Sequence, residues 1–361
     1  MTARIASNRL RVLGTASALP GLAITTADLL DHVETRFGIP ARRIGGRVAR
    51  SLGIHTRHLA RDLKERIESP RPGSRNPELA AGAVAAAIEQ AGLHTRELGY
   101  LLAHTATPAR LLPPNAAEVA QLLNFSAPYA EFRQACTGFA NALQFAAGLL
   151  NSPSAPPIVI VGSETGSVYF DPLGVANDPA QWVNLVQMGD GAGAIVLAPL
   201  DPPGTDSGQN GGMIESLFFG HIGLGLIPGF ELAAGGSDKP GGFGIATFRH
   251  AYKAIEEHGP KLFDAGLAAV RKAGINLDSI DYVLPHQANG RMAEWLAPRL
   301  GISSDRIVGN GASVGNLGSA AIWVALDALR RSGTLKPKQR VLVLGAEATQ
   351  YLYGGFVYVH G

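Results

Sequence analysis

The chain contains a weak internal duplication, and this feature constrains its fold more than any other. Residues 91–106, AGLHTRELGYLLAHTA, align without a gap with residues 273–288, AGINLDSIDYVLPHQA, and six of the sixteen positions are identical. Each copy passes from a helical pattern, through an Ala-Gly pair that suits a helix C-cap, into an apolar strand ending at His104 or His286. The match predicts two related halves.

A second pair of segments repeats in the same order along the chain. Residues 158–164, IVIVGSE, align with residues 341–347, VLVLGAE, so Glu164 and Glu347 are counterparts. Helical patterns alternate with buried strands in both copies. The chain is therefore predicted to be an α/β protein built by duplication.

Two segments rich in turn-forming residues interrupt this pattern. The segment 198–212, APLDPPGTDSGQNGG, divides the copies, and we place the boundary at residue 205, between halves 1–205 and 206–361. The two halves are expected to pack together rather than swing apart. A glycine-rich segment, 220–242, shows no strand pattern and is long enough to line a site or an interface.

The only cysteine in the 361 residues lies at a third match. CTGFANAL (136–143) aligns with NLGSAAIW (316–323), which sets Cys136 opposite Asn316, each before an Ala-rich helix. At a strand-to-helix elbow, unpaired N–H groups and the helix dipole stabilise negative charge. A thiol there is expected to have a lowered pKa and to act as a nucleophile. An inert buried cysteine is the alternative.

Two polar residues of the second half complete a candidate site. His286 ends a strand, and Asn316 lies in the glycine-rich GNGASVGNLGSAA. A thiolate can attack a thioester, while an imidazole and a carboxamide can donate hydrogen bonds to an enolate oxygen. Taken singly, His286 has the pattern of a core histidine, and Asn316 that of a residue in a turn. The prediction of function therefore rests on Cys136, His286 and Asn316 together.

Composition narrows the class of protein. A 46% hydrophobic content can form a large core. A single cysteine forms no intramolecular disulfide, and no Cys/His cluster has zinc-ligand spacing. The N-terminal RLRVLGTASALP is predicted to be a β-strand rather than a cleaved signal, and no apolar run suffices for a membrane span. We expect a cytoplasmic protein that binds no membrane.

Positive charge is concentrated between residues 41 and 75, which hold ten Lys and Arg against three acidic residues. Such a segment attracts a phosphorylated or acidic partner, such as a nucleotide-bearing thioester or an acidic carrier protein. A solvated surface segment is the alternative. Nucleic acid is disfavoured because the segment has no Phe, Tyr or Trp on which bases could stack.

Four motifs together resemble β-ketoacyl-(acyl-carrier-protein) synthase III, a family of the thiolase-like superfamily. The family order is kept by ACTGFANAL, MGDGAGAIVL, LPHQANGRM and GNLGSAA, and the resemblance covers nearly the whole chain. It implies two five-layered α/β/α/β/α halves related by a pseudo-twofold axis, and a homodimer. It also explains the duplication.

The resemblance implies a role for each residue of the candidate site. Cys136 would take an acyl group from a coenzyme A or carrier-protein thioester. His286 and Asn316 would hold the carbonyl of a malonyl unit while carbon dioxide leaves, and the enolate would attack the acyl-enzyme to give a β-ketoacyl thioester. No cofactor or metal is implied, since coenzyme A and phosphopantetheine thioesters are substrates.

Further positions carry binding roles in the family, and some depart from its pattern. Gln350 stands where a glycine supplies the second oxyanion-hole N–H beside that of Cys136. Arg47 replaces the tryptophan that stacks on adenine, Arg50 lies near the adjoining arginine, and Arg291 matches an arginine that contacts carrier protein or coenzyme phosphate. Pro113 replaces a bulky aromatic residue that closes the partner subunit's acyl pocket. These changes favour a larger acyl group and a specialised-metabolism ketosynthase for polyketides or lipids.

Three alternatives remain at this stage. Ser313 in GASVG fits the nucleophile motif of α/β-hydrolases, although only Asp327 and His360 follow it. An acyltransferase could use Cys136 as the shuttle and His286 as the base that activates an alcohol or amine. A non-catalytic subunit could bind acyl chains or carrier protein.

Overall fold

The computed structural model describes residues 3–200, 211–232 and 248–361. The predicted boundary at residue 205 lies outside these ranges, so the division into halves 1–205 and 206–361 stays a prediction. On either side of this boundary, one strand ends at Ala198 and the next begins at Met213.

Strands and helices alternate along the described residues. The strands are β1 Arg4–Ala6, β2 Leu10–Ala18, β3 Ile24–Thr25, β4 Thr56–Arg57, β5 Tyr100–His104, β6 Tyr129–Phe132, β7 Ile158–Glu164, β8 Gly191–Ala198, β9 Met213–His221, β10 Phe230–Leu232, β11 Phe248–His250, β12 Tyr282–Pro285, β13 Arg340–Glu347 and β14 Leu352–Val359. The helices are α1 Thr26–Phe37, α2 Ala41–Leu52, α3 Asn76–Gln90, α4 Asn115–Leu122, α5 Gly138–Leu149, α6 Gln181–Gln187, α7 Tyr252–Lys272, α8 Met292–Leu300, α9 Gly311–Val314 and α10 Ala321–Arg331.

One mixed sheet shows the duplication directly. Its order is β12-β13-β14-β9-β2-β8-β7-β5-β6, with β1 beside β9. Reading outwards from the central β2–β9 pair, the first half gives β8, β7 and β5, and the second gives β14, β13 and β12. The pairs β5/β12 and β7/β13 are the segments that match in the sequence, so the two halves share one topology.

The helices form layers on either side of this sheet. The helix α3 packs on β2, β7 and β8 of the first half, and α7 packs on β9, β13 and β14 of the second. Between the two parts of the sheet lie α5 and α10, because α5 contacts strands of both halves and α10 contacts β2, β8 and β12. The predicted α/β fold is confirmed, and its five layers of helix and sheet are formed by the two halves together.

The central layer is apolar where its helices meet the two parts of the sheet. Phe139 of α5 packs edge-on against Trp323 of α10 and against Phe356 of β14, with ring centroids 5.9 Å apart in both pairs. Ala140, Ala142 and other small residues on this face of α5 are buried. The Ala-rich helices of both halves thus occupy the middle of the molecule.

Two local predictions can be compared with these elements. The N-terminal strand is confirmed, because β2 lies at the centre of the sheet, paired with β8 and β9. The expectation that 220–242 holds no strand is wrong at Phe230–Leu232, which forms the antiparallel pair β10–β11 with Phe248–His250. The residues 233–242 lie outside those described. In the described ranges, no helix is long and apolar enough to cross a membrane.

Candidate active site

A cavity of about 1010 Å³ opens at the ends of the strands and contains the three predicted catalytic residues. Cys136, His286 and Asn316 all line it. Cys136 comes from the first half, whereas His286 and Asn316 come from the second. The structure therefore brings together side chains that lie 180 positions apart in the sequence.

Cys136 lies at the predicted elbow between β6 and α5. The backbone N–H just before the helix is not available to a thiolate, because a buried glutamate of the other half accepts a hydrogen bond from it. Oε2 of Glu347 accepts hydrogen bonds from the backbone N–H and the hydroxyl of Thr137, each at 2.8 Å. Oε1 of the same carboxylate accepts from the Thr349 hydroxyl. The helix terminus therefore faces a fixed anion beside the thiol.

Burial and this anion together reverse the expected titration of Cys136. Burial raises the pKa of the Cys136 thiol well above its ordinary value, and the negative charges of Glu347 and Glu164 raise the pKa further. The prediction of a lowered pKa was wrong, because the sequence places the helix terminus but shows neither the burial of the thiol nor the carboxylates around it. The side chain reaches solvent only in part, through the cavity.

His286 follows β12 at the floor of the cavity. The backbone holds it there, since its N–H donates to the carbonyl of Leu344 at 2.7 Å. The side chain is buried, and burial lowers the pKa of His286 to about 4. The imidazole is therefore neutral near pH 7, with one N–H to donate. Its Nδ1 atom has no hydrogen-bond partner among the described residues.

Asn316 has a fixed orientation. Its backbone N–H donates to the carbonyl of Gln187 at 2.8 Å, and its carbonyl accepts from the N–H of Gly189 at 3.1 Å. The side-chain Oδ1 accepts from the N–H of Gly318 at 3.0 Å, which leaves the amide N–H groups as donors on the other side. The carboxamide is thus held as a hydrogen-bond donor in the cavity that the thiol and the imidazole also line.

The two glutamates were noticed in the sequence only as duplication counterparts, and both line the cavity. Glu164 ends β7 and caps the second-half elbow: it accepts from the N–H of Ser319 at 3.3 Å and from the N–H of Ala106 at 3.0 Å. The hydroxyls of Ser319 and Thr107 also donate to it. Burial raises the pKa of Glu164. The sequence signal that could have assigned both glutamates to the site was their position at the ends of equivalent strands in the two copies.

Comparisons with known proteins agree with this site. A model described as 3-oxoacyl-(acyl-carrier-protein) synthase III matches residues 130–209, and the model of that family's C-terminal part matches residues 270–357. The β-ketoacyl-(acyl-carrier-protein) synthase III of Neisseria meningitidis is 31% identical over 355 residues, which span 96% of this chain and 97% of the relative. The chain belongs to the synthase III family.

Other members of the synthase III family are similar over most of their length. A synthase III of Streptomyces coelicolor is 30% identical over 340 residues, which cover 91% of each chain. The solved structure of AbyA1, a tetronic acid condensing enzyme, is 30% identical with a TM-score of 0.80, covering 97% of this chain and 99% of that one. The synthase III of Pseudomonas aeruginosa has a TM-score of 0.74 at 25% identity, over 97% and 98% of the two chains. The chain is thus an acyl-transferring enzyme with a thiolase-like fold.

The predicted oxyanion residue Gln350 lies beside the cavity rather than in it. Ala348 and Thr349 line the cavity, and Gln350 does not. Its exposed side chain donates instead to the carbonyls of Gly223, at 2.8 Å, and Leu226, at 3.2 Å. In this turn the positive φ belongs to Tyr351, at 53°, so Gln350 needs no glycine-like backbone. The assignment of its backbone N–H to the oxyanion hole stays a prediction.

The predicted carrier-binding arginines lie together at the outside of the cavity. Arg47 and Arg50 are exposed on α2. Nε and Nη2 of Arg291 donate to the carbonyl of Arg50 at 3.2 and 3.0 Å, and Nη1 lies 2.8 Å from a carboxylate oxygen of Glu294. Arg291 lines the cavity, whereas Arg47 and Arg50 do not.

The basic segment 41–75 is less available to a partner than its sequence suggests. Arg57 and Arg61 are buried, and burial lowers the pKa of Arg57 to about 10. Several others are engaged in ion pairs: Arg42 with Asp31 and Glu34, Lys64 and Arg71 with Asp62, Arg66 with Asp171, and Arg75 with Glu118. Only part of the segment can therefore attract an acidic partner.

The predicted position Pro113 lies apart from the cavity of its own chain. Pro113 is exposed and does not line it, and the neighbouring Leu112 is 82% exposed. This loop points away from the subunit, as expected if it reaches a partner. In the described residues, no group of three or more His, Cys, Asp and Glu is placed to hold a metal ion.

The hydrolase alternative finds no support in the contacts. Ser313 is exposed on the short helix α9. Asp327 accepts from Thr15 and Ser17 at 2.9 and 2.7 Å and pairs with Arg331. His360 contacts Tyr358 instead of a serine. The three residues thus make separate contacts and form no triad.

Proposed function

We propose that the protein is a condensing enzyme of polyketide or specialised lipid biosynthesis. Cys136 attacks the carbonyl of an acyl thioester, the carrier or coenzyme thiol leaves, and an acyl-enzyme forms. A malonyl-type thioester then loses carbon dioxide. The electron pair of the broken C–C bond becomes an enolate, whose carbon attacks the acyl-enzyme and releases the Cys136 thiol as a β-ketoacyl product is made.

The observation that carries this proposal is the fixed amide of Asn316 beside a neutral His286. Decarboxylation puts negative charge on the thioester oxygen, and two donors that already face that oxygen stabilise it without reorganisation. The pKa of about 4 supports this role for His286, because a neutral imidazole donates a hydrogen bond without neutralising the enolate. A transferase that only moves an acyl group to an alcohol has no use for the second donor.

The high pKa of Cys136 supports attack by a thiol that loses its proton during the reaction. Glu347 and His286 both lie at the site, and the neutral imidazole can accept a proton. We propose that the thiol remains protonated until an acyl thioester displaces water from the cavity. A protonated thiol also resists alkylation and oxidation between turnovers.

The wide cavity, the absence of a bulky aromatic residue at Pro113 and the likeness to AbyA1 support a specialised acyl substrate rather than acetyl groups. We also propose a homodimer, formed by the edge strand β6. Large apolar side chains are exposed around this edge: Leu122 of α4, Tyr129 of β6, and Phe145 and Leu149 of α5. A native mass of one chain would contradict the dimer.

Intact-protein mass spectrometry tests the function. Incubation with acyl-coenzyme A or an acyl carrier protein should add one acyl mass to the wild type and none to Cys136→Ala. Malonyl thioester should then remove that mass with release of carbon dioxide. Removal by an alcohol or amine alone would identify an ester- or amide-forming transferase, and no acylation by any thioester would identify a binding subunit. Preferential acylation by acetyl-coenzyme A would contradict a specialised substrate.

A further inference from the structure

The first residue of α3, Asn76, is buried, and the two ends of its side-chain amide face different partners. Its Oδ1 accepts hydrogen bonds from Asn115 Nδ2 and Ser163 Oγ, each at 2.6 Å. Its Nδ2 donates to the hydroxyl of Thr105 at 3.1 Å and to the carbonyl of Thr107 at 2.8 Å. The two donors on Oδ1 fix the orientation of the amide, so Nδ2 is held as a donor towards the threonines.

The two threonine hydroxyls accept N–H groups and donate their own protons to Glu164. The Thr105 hydroxyl accepts from the N–H of Thr107 at 3.1 Å as well as from Asn76. The Thr107 hydroxyl accepts from the N–H of Thr165 at 2.9 Å. Both hydroxyls donate to Oε2 of Glu164, that of Thr105 at 3.5 Å. Asn76 therefore holds the segment after β5 as a set of donors to this carboxylate.

The Glu164 carboxylate lies directly against the turn that carries Asn316. A Cβ added at Gly318 would come within 2.9 Å of Cγ and 3.1 Å of Oε1 of Glu164. The N–H of Gly318 fixes the Asn316 amide at 3.0 Å, and the next N–H, that of Ser319, donates to Glu164 at 3.3 Å. A displacement of the carboxylate therefore displaces the turn that orients Asn316.

We propose that Asn76 is a positioning residue for Asn316, acting through Thr107, Glu164 and the turn at Gly318. Asn76 does not line the cavity, so its effect on the reaction is indirect. The inference rests on the proposed function for the use of Asn316 as a donor to the enolate, whereas the contacts themselves are independent of the reaction. A fully satisfied buried network is rigid, and the loss of one member loosens the others.

Hydrogen–deuterium exchange tests these contacts without any substrate. In Asn76→Ala, the backbone amides of residues 316–321 should exchange at least about tenfold faster than in the wild type, because the carboxylate that holds this turn loses its support. Asn115→Ala is the matched control. Asn115 is 3% exposed against 2% for Asn76, and its hydrogen bonds, with Asn76 Oδ1 and the N–H of Ala109, lie on the side away from Glu164. Exchange at 316–321 should stay unchanged in the control, and equal exchange in the two variants would overturn the proposal.

Kinetics test the consequence for the reaction. In Asn76→Ala, kcat for condensation with malonyl thioester should fall about tenfold to a hundredfold, the cost of misplacing a reacting group by up to about 1 Å. The KM and the rate of acylation of Cys136 should each change less than about threefold, because the thiol does not depend on the Asn316 turn. Asn115→Ala should keep the ratio of the two rates. Equal loss of acylation and condensation in folded Asn76→Ala protein would contradict a positioning role.

A second pair of variants decides if Asn76→Ala does not fold. Thr107→Val removes the hydroxyl between Asn76 and Glu164, and Thr107→Ser keeps it. We expect fast exchange at 316–321 and slow condensation in the valine variant, and recovery of both in the serine variant. A valine variant that behaves like the wild type would overturn the proposal. If exchange depends on the hydroxyl but the acylated wild type does not react with malonyl thioester, the contacts stand and the proposed function fails.

Discussion

The two strand-to-helix elbows of the duplicated fold, at Cys136 and at Asn316, are built alike but present different functional groups. In each, a glutamate from the other half accepts hydrogen bonds at the start of a central helix: Glu347 on Thr137, and Glu164 on Ser319. The first elbow presents a thiol and the second a carboxamide. Duplication thus supplied two equivalent positions facing one cavity, and the residues before the two helices diverged into nucleophile and donor.

The histidines that follow equivalent strands diverged in the same way. His286 opens into the cavity. His104, its counterpart at the end of β5, is fully buried, and its Nε2 accepts from Trp323 Nε1 at 3.0 Å. Burial lowers the pKa of His104 to about 3, so it stays neutral. Of the two histidines, His286 thus faces the cavity, while His104 packs in the central layer.

The largest effect is expected from replacing His286, the histidine that faces the cavity. His286→Ala should reduce condensation with malonyl thioester about 100- to 1000-fold, as the loss of one oxyanion donor does, while acylation of Cys136 persists. Steady-state kinetics and the acyl mass measure the two steps. Equal loss of both steps would contradict an enolate-binding role.

Replacing the equivalent histidine of the first half, His104, should instead lower the free energy of unfolding. His104→Ala leaves the indole N–H of Trp323 buried without an acceptor, which costs about 1–3 kcal/mol in the free energy of unfolding. Urea unfolding measures this cost. Condensation per folded molecule should change little. A large loss of condensation without loss of stability would show that the two histidines have not diverged as the contacts indicate.

The duplication explains why so much could be predicted from the sequence. Periodicity and the Ala-Gly pairs located β5, β7, β12 and β13, and shared order located the layers. The cavity residues were predictable because Cys136 and Asn316 occupy the same position in their copies. What failed was electrostatics: the pKa of Cys136 depends on Glu347, which lies more than 200 positions away and reaches the helix terminus only in three dimensions.

The surroundings of the binding residues could not be predicted for a related reason. A sequence alignment transfers a position but not the direction of its side chain, so it did not show that the side chain of Gln350 points towards Gly223. Likewise, counting charges between 41 and 75 included Arg57 and Arg61, which are buried. Side-chain direction and burial at loop positions depend on tertiary contacts that local patterns do not contain.

Removing the charge of each glutamate tests how strongly it raises the pKa of the Cys136 thiol. Alkylation of Cys136 by iodoacetamide requires the thiolate, so its rate should still be rising with pH above the ordinary thiol pKa of 9.0. Glu347→Gln keeps an acceptor for Thr137 but removes a charge that disfavours the thiolate. The pKa falls, the profile shifts to lower pH, and alkylation at pH 8 should increase by up to about tenfold, or one pKa unit.

Glu164→Gln should shift the same profile in the same direction but by less, because Glu164 raises the pKa of Cys136 less than Glu347 does. The order of the two shifts is therefore itself a test. A profile that stays in place in Glu347→Gln, or moves to higher pH, would show that the cap positions the helix without affecting the thiol.

The smallest effect is expected at Gln350, where the elbow meets the turn after β13. Because Gln350→Ala keeps the backbone N–H that the resemblance assigns to the oxyanion hole, it should change kcat/KM for acylation less than about threefold, well under the cost of losing an oxyanion donor. The side-chain amide of Gln350 bridges the carbonyls of Gly223 and Leu226, so the substitution should mainly lower the melting temperature, by a few degrees for about 1 kcal/mol. A hundredfold loss of kcat/KM at unchanged stability would place the side chain of Gln350 in the active site, which its contacts with the Gly223 and Leu226 carbonyls oppose.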